Sequence, residues 1–295
     1  MTTIRIKTEA RIFILSFLFL PMIILLLFVL YPLFRLFQMS LTNWDGLSEE
    51  IFYVGIQNYI DILSKSPDVW LSLKNNFIYF FVHLAVIPLE IFVAFLLDNR
   101  IKAAGFFKSV IFMPYIINGV AVAYMFSLLF SPQGGAFNEI LSLAGLTPVR
   151  WLSDPSIVNL SLSGVSIWRF SGMHVILFLA ALQSINVEIM EASLIDGAGL
   201  FTQFWHIVIP NILTTVEIVL FLNLRGALQV FDIPFVMTQG GPGHASSTFT
   251  LYTIETAFNF NSFGRAASMA VILIVIILLL SQIQNALTAG KERFK

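Results

Sequence analysis

Polar and charged side chains that could bind a solute interrupt several long apolar stretches of this sequence. They are Glu90, Asn118, Arg169, His174, Gln183, Glu217, Asn223, Arg225 and Gln229. Polar groups are costly to bury in lipid, so each of them is a candidate functional residue. The stretches around His174 and Asn223 are the most polar and could line a water-accessible path. The candidates that we assign to a solute path, with helix packing left open for His174, are His174, Asn223, Gln229, Asn118 and Arg225.

The sequence contains no recognisable catalytic or metal-binding set. Cysteine is absent, which excludes disulfides, thiolate metal ligands and a cysteine nucleophile. The histidines lie far apart and lack the spacing of a metal site. No phosphate-binding loop of the form Gly-x-x-x-x-Gly-Lys-Ser/Thr is found, so we do not expect the chain to hydrolyse ATP. We predict no catalytic residue, no metal and no cofactor, and we predict that the protein is not an enzyme.

The composition is that of a membrane protein. Hydrophobic residues make up 58% of the 295 residues and charged residues only 11%, against roughly 25% in soluble domains. So few charges could not cover the apolar surface of a soluble fold, and lipid must therefore be the solvent for much of the chain. The net charge of −1 leaves no basic face for a nucleic-acid partner.

Long apolar stretches predict about six transmembrane helices, because one span needs about 20 residues. The predicted spans are 12–38, 75–97, 106–130, 157–182, 212–231 and 266–283. The predicted fold class is therefore an all-α integral membrane protein. The predicted domains are a cytoplasmic tail at 1–11, the first span at 12–38, an outer loop at 39–74, a five-helix core at 75–287 and a second cytoplasmic tail at 288–295.

Basic residues near the ends of the spans predict the orientation of the chain. They concentrate in both tails and in the loop after the second span, at Arg5, Lys7, Arg11, Arg100, Lys102, Lys108, Lys291, Arg293 and Lys295. An even number of spans places these three segments on one side, so both termini are predicted to be cytoplasmic. The segments 41–74, 131–156 and 232–264 are then outer loops.

The predicted cytoplasmic loop at 184–211 breaks this charge pattern. It carries Glu188, Glu191 and Asp196 but no Lys or Arg. A solvated acidic loop is one interpretation, because acidic residues contribute little to topology. A docking surface for a basic protein partner is the interpretation that we favour, because the loop also carries two apolar faces that need a cover. Anionic lipid would repel such an acidic segment.

Helical periodicity divides this loop into two short segments. Asn186 is the predicted N-cap of the first, with Glu188 in the first turn, where the helix dipole favours an anion. Gly197 and Gly199 are expected to end that helix. A second amphipathic stretch at 200–209 is rich in aromatic residues. The sequence therefore predicts a short helix, a glycine bend and a second helical segment.

This loop resembles the EAA loop of ABC importer permeases, whose pattern is Glu-Ala-Ala, three residues, Gly, nine residues, Ile, one residue and Leu-Pro. The spacing fits throughout, with Ser193 in place of the second Ala and Ile209 in place of Leu. In that family the loop forms a coupling helix that sits in a cleft of the ATPase subunit. The residues that the resemblance assigns to ATPase coupling are Glu188, Glu191, Ala192, Asp196, Gly197, Ile207 and Pro210.

Further motifs along the chain are similar to those of permeases of the maltose and glycerol-phosphate type. They are Leu30-Tyr31-Pro32, Ser40 to Asp45, Val54-Gly55, Asn58-Tyr59, Asn75-Asn76, Phe112 to Tyr115, Gln229 to Asp232 and Thr238 to Gly243. The resemblance implies the type I ABC importer permease fold. It also implies the function of a permease subunit that forms the translocation path for a sugar or a related polyol.

The same resemblance implies the partners and the location of the protein. The implied partners are a second permease subunit, a pair of ATPase subunits that bind the ATP, an extracytoplasmic solute-binding protein and membrane lipid. A heterodimer of permeases is favoured and a homodimer is left open. The implied location is the cell membrane of a bacterium or an archaeon. The alternative function is one half of a secondary transporter, or another multi-pass membrane protein that is not driven by ATP. A secondary transporter would have no reason to keep the spacing of the loop.

Overall fold

The computed structural model describes residues 2–98 and 103–292, with side chains over 13–98 and 103–286. Within these ranges the regular elements are helices, and Thr42 and Tyr53 form an isolated antiparallel bridge. The helices are α1 Thr2–Leu25, α2 Tyr31–Ser40, α3 Gln57–Lys65, α4 Pro67–Asp98, α5 Ala104–Ile116, α6 Gly119–Leu129, α7 Ala136–Leu143, α8 Val158–Leu182, α9 Val187–Ile195, α10 Leu200–Gln203, α11 Ile209–Asn211, α12 Leu213–Gln229, α13 Asp232–Thr238, α14 Phe249–Phe258 and α15 Phe263–Glu292. Two π-helical segments, Leu26–Leu30 and Phe204–Val208, join α1 to α2 and α10 to α11.

Five helical segments of the described chain are long and apolar enough to cross a membrane, or six if one bent pair forms a single span. The five are Phe13–Ser40, Pro67–Asp98, Val158–Leu182, Leu213–Thr238 and Phe263–Ala286. The prediction of an all-α protein with about six spans is therefore confirmed. The basic residues behind the predicted orientation, except Lys108, lie outside the described side chains.

The third predicted span, at 106–130, is not one straight helix. It consists of α5 and α6, whose axes differ by 96°. Pro114 lies in the last turn of α5 and removes a backbone donor there. Asn118 has an extended backbone and caps α6, because its side chain accepts the Val120 N–H at 2.9 Å. These two residue types at this spacing explain why the helix breaks inside an apolar stretch.

The three predicted outer loops are also more helical than expected. The segment 41–74 contains α3 and the start of α4, the segment 131–156 contains α7, and the segment 232–264 contains α13 and α14. The largest correction concerns α13, because it extends the fifth span to Thr238. Asp232 therefore lies within a helical segment that is long and apolar enough to cross a membrane.

The chain forms two compact units. The first consists of Met1–Lys65 and Thr253–Ile274. Its interior is tied to the end of α2, where the Ser268 hydroxyl donates to the Ser40 carbonyl at 2.7 Å. The Asn58 amide donates to the carbonyls of Ser40 and Thr42 at 3.0 and 2.8 Å, and the Tyr59 hydroxyl donates to the Ser40 hydroxyl at 2.6 Å. The Asn58-Tyr59 motif therefore anchors the end of the first span.

The second unit consists of Ser66–Tyr252 and Val275–Lys295 and contains the candidate site. Helix α8 packs against α4, α5 and α12, and α4 also packs against α12. One apolar cluster of this unit includes Phe95, Phe178 and Phe204, and another includes Val122 and Leu162. All five of these side chains are buried. The spans around α8 therefore have protein neighbours as well as faces that are left to lipid.

Buried asparagines of α4 hold the segment that precedes α14. The Asn76 amide donates to the Ala227 carbonyl at 2.5 Å, and its side-chain oxygen accepts the Phe249 N–H at 2.8 Å. The Asn75 amide donates to the Ser247 carbonyl at 2.9 Å. Both asparagines are at most 2% exposed. They satisfy backbone groups that lipid could not satisfy.

Replacing Asn76 by Ala should destabilise the protein, because it leaves the Phe249 N–H and the Ala227 carbonyl without these partners. Each buried polar group left unpaired costs about 1–3 kcal/mol. We expect the unfolding temperature of the purified complex to fall by several degrees. Gln133→Ala, at an exposed turn position, is the control that should leave it unchanged. Equal unfolding temperatures for the two variants would contradict this role of Asn76.

Candidate functional site

A cavity of about 430 Å³ lies in the second unit between α4, α8 and α12. The polar side chains of its wall include those of Tyr79, His83, Ser166, Arg169, His174, Asn223, Gln229 and Asp232. Aromatic rings of Tyr115, Phe170 and Phe231 also line it. A concave, mainly apolar wall with a few placed polar groups is typical of a site for a small solute.

Three of the five predicted solute-path residues line this cavity, namely His174, Asn223 and Gln229. Arg225 lies outside the lining on an exposed part of α12, where its Nε donates to the Gln229 side-chain oxygen at 3.2 Å. Asn118 also lies outside the lining and caps α6. The arrangement therefore brings His174, Asn223 and Gln229 together and leaves the other two apart. Contact of any of them with a solute stays a prediction.

Two side-chain pairs connect α4 to α8 at the cavity, and Glu90 is their one member that does not line it. The His174 Nδ1 lies 3.0 Å from the Glu90 Oε2, and these side chains are only 4% and 3% exposed. The His83 Nε2 lies 3.0 Å from the Ser166 hydroxyl. The second carboxylate oxygen of Glu90 is buried without a hydrogen-bond partner in the described structure. His174 therefore provides the hydrogen bond by which Glu90 is held in this interior.

An ion pair joins α8 to the start of α13. It is formed by the Arg169 guanidinium and the Asp232 carboxylate, and both residues line the cavity. The guanidinium also lies over the Phe170 ring, 4.9 Å from its centroid. Gly119, at the break between α5 and α6, approaches both members of the pair so closely that a Cβ atom there would overlap them. Two broken spans and α8 therefore meet at one ion pair.

Sequence reasoning missed Asp232 as a site residue, because it placed the fifth span's end at residue 231. A signal was present in Arg169, since a charged residue inside a span calls for a counter-charge. The short gap between α12 and α13, at residues 230–231, brings Asp232 back to the cavity. In this gap the Val230 carbonyl accepts the Thr248 hydroxyl at 2.8 Å. That bond satisfies a backbone group that the helix break leaves open.

The loop at 184–211 has the predicted helix, bend and second helical segment. The Asn186 side chain accepts the Glu188 N–H at 3.0 Å and caps α9. Gly197 follows α9 with a φ of +79°, a conformation that only glycine adopts at low cost. Gly199 then precedes α10. The bend is therefore fixed by the residue type at position 197.

A side-chain contact holds the two arms of this loop together. The Gln203 amide donates to the Ser193 hydroxyl at 2.9 Å, and this hydroxyl donates to the Met190 carbonyl at 2.7 Å. Phe204 is buried and meets the ring of Phe95 on α4. Ser193, one of the two residues that depart from the EAA pattern, thus provides the link.

The exposed face of this loop carries both acidic and apolar side chains. Glu188, Glu191, Ala192 and Asp196 are exposed, as is Pro210, while Ile207 is half-buried. The apolar side chains of Ile195, Phe201 and Trp205 are 87%, 72% and 57% exposed. Beside this face lies a groove of about 580 Å³, lined by Glu191, Leu194 and Asp98 among others. An uncovered apolar face rimmed by acids suits a protein partner with basic residues.

Comparison with curated proteins finds relatives along nearly the whole chain. The chain is 33% identical over 286 residues to the probable ABC transporter permease protein YurN of Bacillus subtilis, which covers 95% of this chain and 98% of the relative. It is 31% identical over 277 residues to the multiple sugar-binding transport system permease protein MsmF of Streptococcus mutans, covering 94% and 95%. It is 30% identical over 256 residues to the trehalose/maltose transport system permease protein MalF of Thermococcus litoralis, covering 86% of each. No family model matches the chain.

Solved structures share the fold. A chain of a bacterial ABC transporter that imports the acidic polysaccharide alginate aligns with a TM-score of 0.82 and 23% identity, covering 96% of this chain and 98% of that one. The same transporter, in complex with a periplasmic protein bound to an alginate pentasaccharide, aligns with the same TM-score and covers 96% of both chains. This chain therefore shares its fold with a chain of each of these transporter structures.

Proposed function

We propose that this chain, which belongs to the family of ABC transporter permeases, forms the translocation path for a sugar or a related polyol in an ATP-driven importer. The chain is a multi-pass membrane protein. The solute class, the translocation path and the source of energy are the parts that we propose.

The observation that carries the proposal is the direct connection between the cavity and the acidic loop. Residues 183–186 separate the end of α8 from the start of α9, and α12 begins just after α11. Both α8 and α12 contribute polar side chains to the cavity wall. A displacement of α9 therefore acts on two walls of the cavity at once. This is the arrangement needed to convert a movement outside the membrane into opening or closing of a path.

The sugar class is supported by the relatives and by the cavity. Curated relatives over most of the chain are named for multiple sugars, trehalose/maltose, lactose and arabinooligosaccharides. The cavity wall presents the amides of Asn223 and Gln229 and the hydroxyl of Tyr79 beside aromatic rings. Amides and hydroxyls can both donate and accept hydrogen bonds, which suits a hydroxyl-rich solute.

The energy is proposed to come from separate ATPase subunits, since the sequence has no phosphate-binding loop. The exposed face of the loop, with Glu188, Glu191 and Asp196, is the proposed contact. A second permease subunit, in a heterodimer, would complete the path, and an extracytoplasmic binding protein would deliver the solute. This assembly requires both termini to be cytoplasmic. The relatives give no support to the alternative of a secondary transporter.

The proposed mechanism is a shift between two states of the path. Closure of the ATPase pair would move residues 188–210 as a lever and switch the path from inward-facing to outward-facing, and hydrolysis would reset it. Each ligand shifts this equilibrium only by its difference in affinity for the two states. The Ser193–Gln203 hydrogen bond would keep the two arms of the lever together.

Replacing Glu191 by Ala should uncouple transport from ATP hydrolysis. A lost hydrogen bond to a charged group costs about 1.5–3 kcal/mol, so we expect uptake to fall roughly tenfold or more. The measurement is ATP-dependent uptake and ATP hydrolysis by the complex in proteoliposomes. Glu139→Ala, at an exposed position of the short helix α7, is the matched control and should not change either rate.

Two outcomes would speak against the proposed function. If Glu191→Ala kept wild-type uptake and wild-type coupling, the loop would not be the part that couples ATP hydrolysis to transport. Uptake driven by a proton gradient in vesicles without ATPase subunits would favour the secondary transporter instead. Co-purification shows whether an ATPase subunit is bound to the chain. It thereby distinguishes these outcomes from a failure of the complex to assemble.

A further inference from the structure

We propose that the cavity selects uncharged sugars over anionic ones, and that Asp232 is the residue that sets this selectivity. The inference rests on the proposed function of the cavity as a sugar path. It names the charge class of the solute and the side chain that decides it.

Each basic side chain that lines the cavity already has a polar partner. Arg169 is paired with Asp232, His174 contacts Glu90, and the His83 ring contacts the Ser166 hydroxyl. The described lining contains no lysine and no second arginine. The wall therefore offers no cation that is free to receive a carboxylate or a phosphate.

An anionic sugar would meet an unfavourable environment in such a cavity. A buried carboxylate is tolerated only where charged donors or several hydrogen bonds replace its water. Here the Asp232 carboxylate already takes up the Arg169 guanidinium and would repel a second anion. The His174 Nδ1 is already in contact with Glu90. An uncharged sugar carries no such penalty, because it gives up only neutral hydrogen bonds with water.

The cavity does keep neutral hydrogen-bonding capacity for a solute. The Tyr79 side chain lines it and is 1% exposed, and its hydroxyl has no hydrogen-bond partner in the described structure. A buried hydroxyl without a partner is costly, so a solute hydroxyl at this position would remove that cost. The Asn223 amide makes a single long bond of 3.3 Å to the Phe80 carbonyl. Both groups suit a sugar hydroxyl and neither carries a charge.

Asp232 decides the charge selectivity because its removal would leave Arg169 without an acidic partner. Arg169 has no other acidic partner in the described structure, and its Nε is buried without a hydrogen bond. Without the carboxylate, the guanidinium would become a two-pronged donor at the cavity wall, a geometry that matches a carboxylate or a phosphate. Glu90 differs, since it lies behind the wall and is absent from the lining.

The fold alone does not decide the charge of the solute. The alginate importer with the same helical arrangement is described as importing an acidic polysaccharide. Its identity to this chain is 23%, so the residues at the cavity wall are free to differ. Selectivity for charge must then come from side chains such as Arg169 and Asp232.

The test measures sugar binding to the purified complex in lipid nanodiscs without the solute-binding protein, whose own selectivity is thereby excluded. The probes are matched methyl glycosides and methyl uronides of the gluco, galacto and manno series, which differ only in a hydroxymethyl or carboxylate group. Saturation-transfer NMR detects weak binding of each. In the wild type we expect at least one neutral glycoside to bind and its uronide to bind at least roughly tenfold more weakly.

Three variants assign the selectivity to the ion pair. Asp232→Asn keeps the shape of the side chain and should raise uronide binding by roughly tenfold, with little change for the neutral glycoside. The double variant Arg169→Gln/Asp232→Asn should lose this gain, because the freed cation is gone. Asp154→Asn, at a half-buried position outside the cavity lining, is the control that should leave both affinities unchanged.

The outcomes separate this inference from the function on which it rests. Uronides that bind the wild type as tightly as the neutral glycosides, or Asp232→Asn without a gain for uronides, would overturn the selectivity alone. Failure of every sugar to bind any variant, together with absent sugar uptake by the complete importer, would overturn the proposed function as well.

Discussion

Replacing His174 by Leu should destabilise the protein more than any other single change at the cavity. The substitution removes the hydrogen bond to Glu90, whose other oxygen already has no partner. Breaking a buried pair by removing one member costs about 3–5 kcal/mol, because an uncompensated polar or charged group stays in the interior. We expect the purified complex to unfold at a clearly lower temperature, and little of the variant to be recovered from membranes.

A double substitution distinguishes this cause from a loss of packing. Replacing both residues in Glu90→Leu/His174→Leu removes the isolated carboxylate, and such paired apolar replacements are often nearly neutral. We therefore expect the double variant to be more stable than His174→Leu alone. The measurement is the unfolding temperature of the wild type, both single variants and the double variant in one cycle. If the effects of the single changes simply add, the pair does not hold α4 to α8 in the way proposed.

Local sequence signals were sufficient for the acidic loop. The N-cap by Asn186 and the bend at Gly197 follow from residue types whose preferences act within a few positions. The exposed acids at Glu188 and Glu191 follow from the same periodicity. These features need no knowledge of distant contacts. The spans were predictable for a similar reason, because lipid imposes one length and one composition on all of them.

Contacts between residues far apart in the sequence could not be predicted from such local signals. Glu90 was a candidate from its position in a span, but its partner His174 lies 84 residues away. Arg169 and Asp232 are 63 residues apart, and the helix break before Asp232 hid that it returns to the cavity. Hydropathy measures how apolar a stretch is, and it cannot show where a helix bends by 96° within that stretch. The breaks at Asn118 and Val230 therefore became visible only in three dimensions.

The ion pair of Arg169 and Asp232 lies next to the breaks in both broken spans. A break in a membrane helix leaves backbone groups open, and these must be satisfied by protein. The Asn118 side chain does this at the start of α6, and the Thr248 hydroxyl does it before α13. The α6 and α13 helices pack against each other, and Arg169 holds α13 to α8. The positions of the short helices α6 and α13 thus depend on one ion pair next to the cavity.

Replacing Gly119 by Val should abolish most of the uptake, because this glycine is where α6 meets the ion pair. A Cβ atom at this position would overlap both the Asp232 carboxylate and the Arg169 guanidinium. Overpacking of this kind costs about 1–3 kcal/mol, and here it also drives apart two charges that have no other partners of opposite sign in the described structure. We expect uptake by the reconstituted complex to be nearly lost while the ATPase subunits stay bound.

The matched control is Gly164→Val on α8, the helix that carries Arg169. A Cβ atom at Gly164 would meet no neighbouring atom within 4 Å, so this change should leave uptake close to the wild-type rate. Gly119→Ala, with a single added carbon, should give an intermediate loss, since even its Cβ overlaps the pair. Wild-type uptake in Gly119→Val would mean that α6 can retreat without disturbing Arg169 and Asp232. In that case the ion pair would not fix this part of the cavity wall, and selectivity would have to arise elsewhere in the wall, near His174 and Asn223.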